Sequence, residues 1–216
     1  MKRPSRKKLC GPFITFEGGD GVGKSTQIDR LAAALRDAGH EVVVTREPGG
    51  SPGSELIRNL IVNGPPERWS PLADALLLYA ARADHLERTI KPARNRGAVV
   101  ISDRFADSTM AYQGVAGALG PETARALYDL VVGENGPDLT IILDAPPNEG
   151  LKRAVQRGGA QRYEAKGDEF QERVREAYLD IAAREPERCV VIDARGSVDE
   201  VAAKVAETVR ARLGLF

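Results

Sequence analysis

Net charge, thiols and long apolar runs are all scarce in this chain, and each shortage removes a class of function. The 31 basic and 31 acidic residues leave a formal charge of zero, which argues against a general binder of nucleic acid or of a membrane surface. Only two cysteines occur, Cys10 and Cys189. Two unclustered thiols build neither a disulfide framework nor a zinc site, and they fit a reducing cytosol, so a cytoplasmic location is expected. No apolar stretch approaches the roughly 20 residues that span a bilayer. The N-terminus is basic (Lys2, Arg3, Arg6, Lys7, Lys8), yet no hydrophobic signal region follows before the glycine-rich loop begins. Residues 1–12 read as a solvated, disordered tail, with RNA or lipid contact as the alternative. No internal repeat or low-complexity linker interrupts the remainder, and 13–216 read as one domain large enough for a sizeable core.

What is present is a phosphate-binding loop. Gly18-Gly19-Asp20-Gly21-Val22-Gly23-Lys24-Ser25 fits glycine, four residues, then Gly-Lys-Ser, and Thr26 follows it. An apolar run precedes it and a helical pattern follows, which a chance glycine turn would not require. The glycines let successive N–H groups curl toward phosphate oxygens, and the helix N-terminus adds partial positive charge. Lys24 is placed to reach the terminal phosphates of a nucleoside triphosphate, and the Ser25 hydroxyl to coordinate Mg²⁺.

Five short Val/Ile-rich runs, 13–16, 42–45, 99–102, 140–143 and 190–192, show little alternation and read as parallel strands covered on both faces. Helical patterns separate them at 26–37, 54–62, 71–96, 121–132, 149–157, 169–184 and 198–213. Strands alternating with such helices predict an α/β, three-layer fold around a five-stranded parallel sheet. Ligands in such sheets sit beyond the carboxyl ends of the strands. There the chain carries the phosphate loop, Arg46-Glu47-Pro48-Gly49-Gly50, Asp103-Arg104-Phe105, Asp144, and Asp193-Ala194-Arg195-Gly196. Segment 156–167 has glycines at both ends and holds Arg157, Arg162 and Lys166. It reads either as a short lid closing cations over phosphates or as a solvated loop.

The loop alone fits motors, GTPases, transporters and kinases. A chain of 216 residues is small for a complete motor or transporter ATPase, and the Asn-Lys-x-Asp element of a GTPase is missing. A small-molecule kinase remains. The stretch from Phe16 through Thr26, Thr45-Arg46-Glu47-Pro48-Gly49-Gly50, Tyr79-Ala80-Ala81-Arg82, Asp103-Arg104-Phe105 and Ser108-Thr109-Met110-Ala111-Tyr112-Gln113-Gly114 together resemble the thymidylate kinases of the bacterial type. The resemblance runs from about Phe13 to the C-terminus. It implies a P-loop kinase fold, transfer of the ATP γ-phosphoryl group to dTMP giving dTDP and ADP, Mg²⁺, and a homodimer.

Phosphoryl transfer asks the protein for positioning and charge neutralisation. Two phosphate-bearing substrates repel, so a second cation set must hold the acceptor. Arg104 is the candidate, because a guanidinium fork matches phosphate oxygens in a bidentate way. Asp103 organises Mg²⁺ and water, orients the cations, or caps its turn. An acid inside the phosphate loop, Asp20, implies within this family that the lid supplies the catalytic cations, here Arg157 and Arg162. Asp20 itself contacts either the acceptor's 3′-hydroxyl side or the metal, and Glu164 is a further metal candidate. The resemblance also places Glu47, Arg82, Thr109 and Gln113 on the acceptor, with Arg82 on the thymine carbonyl and Tyr112 crowding the 2′ position of the sugar. The family's base-stacking Phe is replaced by Leu78, leaving Leu78 or Tyr79 to contact the base. Arg153 is the candidate to stack on adenine, with Arg195-Gly196-Ser197 as the other wall. Competing readings are another nucleoside or nucleoside-monophosphate kinase, or a regulatory ATP-binding module. The module would have no use for Arg82, Arg104, Tyr112 and Gln113.

Overall fold

A computed structural model describes residues 11–147, except 64 and 66, and 167–216. The strands β1 (Phe13–Glu17), β2 (Val42–Arg46), β3 (Val99–Asp103), β4 (Leu139–Asp144) and β5 (Cys189–Asp193) form one sheet in the order β2-β3-β1-β4-β5. Every pairing is parallel. The expected three-layer α/β fold is therefore present. The register sets Phe16 beside Asp103, so the ends of β1 and β3 deliver their loops to the same place.

Helices α1 (Lys24–Asp37) and α8 (Val198–Leu213) cover one face. There Ile28, Leu31, Leu35, Val201, Val205 and Val209 pack on Ile14, Phe16, Ile101 and Ile141. The other face carries α3 (Pro71–His85), α6 (Pro121–Val131), α7 (Asp168–Arg184) and the short α4 (Lys91–Asn95) and α5 (Ala106–Thr109). Its core joins Phe13, Val100 and Phe105 to Tyr79, Leu86 and Ile90, while Ile142 meets Phe170, Val174 and Tyr178 of α7. Helix α2 (Pro52–Val62) packs beside α3.

Three features differ from the sequence reading. Strands β2 and β5 are the sheet edges, and their faces are only partly covered, whereas β1, β3 and β4 are buried. The expected helix 71–96 follows one path but widens into a π turn at Leu86–Ile90. Pro92 has no N–H to offer the Arg88 carbonyl, and the Lys91 N–H bonds the Leu86 carbonyl instead. A helical segment not anticipated covers α5 and a π stretch, Met110–Val115. The expected tail 1–12 falls largely, and the helix 149–157 entirely, outside the described residues.

One ion pair joins α5 to the sheet. Arg188 donates to both oxygens of Asp107, Nη1 at 2.7 Å and Nη2 at 3.0 Å, and Nη1 also reaches Thr140 Oγ1 at 2.6 Å. Both side chains are largely buried. Removing Asp107 leaves the largely buried Arg188 with only the exposed Glu185 as an ion-pair partner among the described residues, so Asp107→Ala should cost about 2–3 kcal/mol in urea unfolding. Loss of the exposed Arg125–Asp129 pair through Arg125→Ala should cost less than about 1 kcal/mol. Equal effects would show that the buried pair does not anchor α5.

Candidate active site

The phosphate loop takes its shape from β1 and β4. Gly18 has φ +127°, and a Cβ there would lie 2.3 Å from the Leu143 carbonyl oxygen, so only glycine fits. Gly23, at φ 102°, opens α1 with no side-chain cap and no acid in the first turn. By contrast, α2, α3 and α8 are capped by Ser51, Ser70 and Ser197. The N–H groups opening α1 are thus left for an anion. Lys24 is buried, and its Nζ donates to the Gly18 and Gly19 carbonyls at 3.1 and 2.7 Å. Burial, then the nearby Arg104, pulls its pKa down to about 8, with Asp103, Asp20 and Glu17 opposing. Ser25 is exposed, and Val22 is buried in the core beneath the loop.

Across the loop stands Arg104, a non-glycine residue at φ 68°. Its Nη2 donates to Asp20 Oδ1 at 2.6 Å and to the Tyr112 hydroxyl at 3.4 Å. Its Nη1 donates to Ser108 Oγ at 3.0 Å and to the Tyr178 hydroxyl at 3.1 Å. The acid in the phosphate loop therefore faces Arg104. Burial raises the Asp20 pKa, but Arg104 and Lys24 outweigh it and the net shift is downward. Behind Arg104 lies the fully buried Glu17. Its Oε1 accepts from the Phe105 N–H at 2.7 Å, and its Oε2 from Ser108 at 2.6 Å and Tyr178 at 2.9 Å.

A second buried group surrounds Arg82. Its Nε donates to Glu47 Oε2 at 2.7 Å, and its Nη2 to the Phe105 carbonyl at 3.2 Å and Thr109 Oγ1 at 3.0 Å. Its Nη1 is buried and has no partner among the described residues. His85 braces Glu47 from behind, with Nδ1 3.0 Å from Oε1 and Nε2 2.7 Å from Thr45 Oγ1. Arg82 is thus a buried, oriented group rather than a solvated helix arginine. Tyr79 is buried as well, with Arg82 over its ring at 4.6 Å and its hydroxyl on the Ala124 carbonyl. Leu78 is half-buried. Gln113 donates to Asp74 at 3.1 Å.

A cavity of about 230 Å³ opens between the loop and the ends of β2 and β3 and is lined by Lys24, Ser25, Asp20, Asp103 and Arg104 together with Arg46 and Arg58. Asp103 Oδ1 is buried and finds no partner among the described residues. An unpaired carboxylate oxygen and an open Ser25 hydroxyl suit a hard cation that takes most of its ligands from phosphates and water. No group of three or more His, Cys, Asp or Glu able to hold a metal occurs among the described residues. A second, small cavity touches Gly18, Gly19, Asp144 and Pro147, and Arg175 grips Asp144 through two bonds of 2.7 and 3.0 Å. Arg195 folds back onto Asp193. Arg153, Arg157, Arg162, Glu164 and nearly all of the lid segment 156–167 lie outside the described residues.

Glu17, Arg46, Arg58, His85, Ser108 and Tyr178 carry site contacts that no sequence assignment covered. Arg46 had a signal, standing at the carboxyl end of β2. Glu17 likewise ends β1 and Ser108 lies in the stretch from Ser108 to Gly114, whereas Arg58, His85 and Tyr178 are joined to the site only by tertiary contacts.

Burial, then Asp107, pushes the Glu17 carboxyl up to about 7 from 4.5, against Arg104, Ser108 and Tyr178. A raised pKa in the folded state means that the native chain holds this proton more tightly than the unfolded one. Its stabilising effect is complete below about pH 4.5 and is lost as pH rises through about 7. Relative to Glu17→Gln, which does not titrate, the native sequence should lose up to about 3 kcal/mol between pH 4.5 and 8. Urea midpoints of both proteins across that range measure it, and a constant difference would contradict the assignment.

Comparison with known proteins agrees with this geometry. The family model for thymidylate kinase matches residues 16–205. A thymidylate kinase of Caulobacter vibrioides is 59% identical over 205 residues, covering 95% of this chain and 99% of the relative. One from Ruegeria pomeroyi is 51% identical over 204 residues, covering 94% and 96%. The crystal structure of thymidylate kinase from Ehrlichia chaffeensis superposes with a TM-score of 0.76 at 35% identity, covering 93% of this chain and 99% of that one. With a family match across most of its length and relatives of the same size, the chain belongs to the thymidylate kinase family, phosphotransferases that act on dTMP with ATP.

Proposed function

We propose that the cavity between the phosphate loop and Arg104 is where an oxygen of the dTMP phosphate attacks the γ-phosphorus of ATP. The bond from that phosphorus to the β,γ-bridging oxygen breaks, and dTDP and ADP result. The observation that carries this reading is the separation of two cation sets in one cavity: Lys24 on the loop, and Arg46, Arg58 and Arg104 opposite. Lys24 exchanges its two carbonyl partners for β- and γ-phosphate oxygens, while the N–H groups opening α1 hold the triphosphate. Arg104 takes the acceptor phosphate in bidentate fashion, exchanging Asp20 for it. Arg82 has a donor to spare for the base, and Glu47 and Thr109 hold the guanidinium in place. Gln113 joins it at the base edge. Tyr79 acts from beneath Arg82, which leaves Leu78 for apolar contact with the base.

Ser25 and Asp103 would hold Mg²⁺, which when bound neutralises charge on the transferring phosphates. The cations of 156–167 complete the donor side in this reading. Helices α2 and α3 turn Leu56, Leu60, Leu72 and Leu76 outward, with Leu56 at 71% exposure, and this apolar face supports a homodimer. Sedimentation should then give about twice the 23.3 kDa chain mass. No described helix is long and apolar enough to cross a membrane; with the scarce thiols, this supports work in the cytoplasm.

A coupled assay of ADP release with dTMP, dUMP, UMP, CMP and AMP tests the acceptor assignment. The best acceptor should be dTMP, by at least about tenfold in kcat/KM over each of the others, or roughly 1.4 kcal/mol of transition-state discrimination. A flat profile, or a different best acceptor, would overturn it.

A further inference from the structure

Glu17 touches neither substrate in the proposed reaction, yet its carboxylate is fully buried at the end of β1, directly before the phosphate loop. We infer that Glu17 is a positioning residue that sets Arg104 to receive the acceptor phosphate, gripping its backbone through Phe105 and its guanidinium through Ser108 and Tyr178. The inference rests on Arg104 as the holder of that phosphate.

The backbone grip answers a conformational problem. At φ 68°, Arg104 occupies a region that side-chain-bearing residues rarely adopt, so its surroundings must hold it there. Three hydrogen bonds do so. Its own N–H donates to the Phe16 carbonyl at 2.9 Å, and its carbonyl accepts from Ser102 Oγ at 2.8 Å. The next N–H, from Phe105, donates to Glu17 Oε1 at 2.7 Å. Two of these three grips come from adjacent residues of β1.

The side-chain grip works through proton direction. The Ser108 and Tyr178 hydroxyls each carry one proton, and each lies within 2.9 Å of Glu17 Oε2. Above about pH 7, where Glu17 is ionised, both protons turn to the carboxylate and the hydroxyl lone pairs face Arg104 Nη1, which takes acceptors at 3.0 and 3.1 Å. An amide nitrogen in place of Oε2 would donate to the hydroxyls. One of their protons could then pass between Ser108 and Tyr178, which are 2.9 Å apart, but the other would turn toward the guanidinium. Glu17→Gln therefore keeps size and removes orientation. On its other edge Arg104 meets Asp20, which lines the cavity and is the partner that a phosphate can replace. The grip through Glu17 persists when that exchange happens.

The test measures, at a pH of about 8 where native Glu17 is ionised, KM for dTMP and for ATP, kcat, and urea stability for Glu17→Gln, Tyr178→Phe, their double variant and Arg104→Ala. Glu17→Gln should raise KM for dTMP at least about tenfold while that for ATP stays within about twofold. Tyr178→Phe should do the same more weakly. The double variant should be no worse than Glu17→Gln alone, because both act through one path. Equal losses for both substrates, additive effects, or an unchanged dTMP constant would overturn the inference. If Arg104→Ala leaves KM for dTMP unchanged, the underlying reading of Arg104 fails; if it raises that constant and Glu17→Gln does not, only the positioning role fails. Should Glu17→Gln not fold, Tyr178→Phe and Ser108→Ala decide: a selective rise in KM for dTMP in both supports the role, and no rise in either overturns it.

Discussion

Arg104 stands between two carboxylates, Asp20 directly at 2.6 Å and Glu17 through a pair of hydroxyls, and the layout of the site follows from that arrangement. It needs β1 and β3 side by side and parallel, because only then do the loops after Glu17 and after Asp103 leave the sheet together. It also needs α7 to bring Tyr178 across from the far end of the chain, 161 residues away from Glu17. The buried cluster of Ile142, Phe170, Val174 and Tyr178 anchors that helix. Packing the core and orienting the Arg104 guanidinium are thus one task for α7.

Positive charge in the cavity is only partly offset. Lys24, Arg46, Arg58 and Arg104 share it with Asp20, Glu47 and Asp103. The cost shows in Lys24, whose affinity for its proton is lowered by burial and then by Arg104, and in Arg58, lowered by burial and then by Arg46. Each cation meanwhile rests on a replaceable protein acceptor: loop carbonyls for Lys24, Glu55 for Arg46, the Pro48 carbonyl for Arg58 and Asp20 for Arg104. Phosphate oxygens can replace these acceptors without moving the scaffold. The uncapped start of α1 follows the same logic, since α2, α3 and α8 each spend a serine on the groups that α1 leaves open.

Much of this was legible in the chain. All five strands and the long helices appear within a few residues of where their apolar patterns put them, because burial on a sheet imposes those patterns locally. Lys24 and Arg104 stand where the strand-end rule and the motif residues put them. The half-exposed edges β2 and β5 were not legible, since edge position depends on strand order and not on local composition. Residues 106–115 showed no helical period, being one short turn widened into a π stretch. The roles of Glu17 and His85 are not legible for a related reason: their partners lie 91 and 38 residues away. The sequence offers Leu78 or Tyr79 for the base; in the structure the Tyr79 hydroxyl bonds the Ala124 carbonyl and Arg82 stands over its ring.

A crystal structure of the complex with dTMP tests the account most directly. The acceptor phosphate should lie in the cavity lined by Arg46, Arg58 and Arg104, with oxygens about 3 Å from the Arg104 guanidinium. Asp20 should have given up its bond to Nη2, while Ser108 and Tyr178 stay on Nη1. A phosphate seated instead in the glycine loop against Lys24, with the Asp20–Arg104 pair intact, would contradict it.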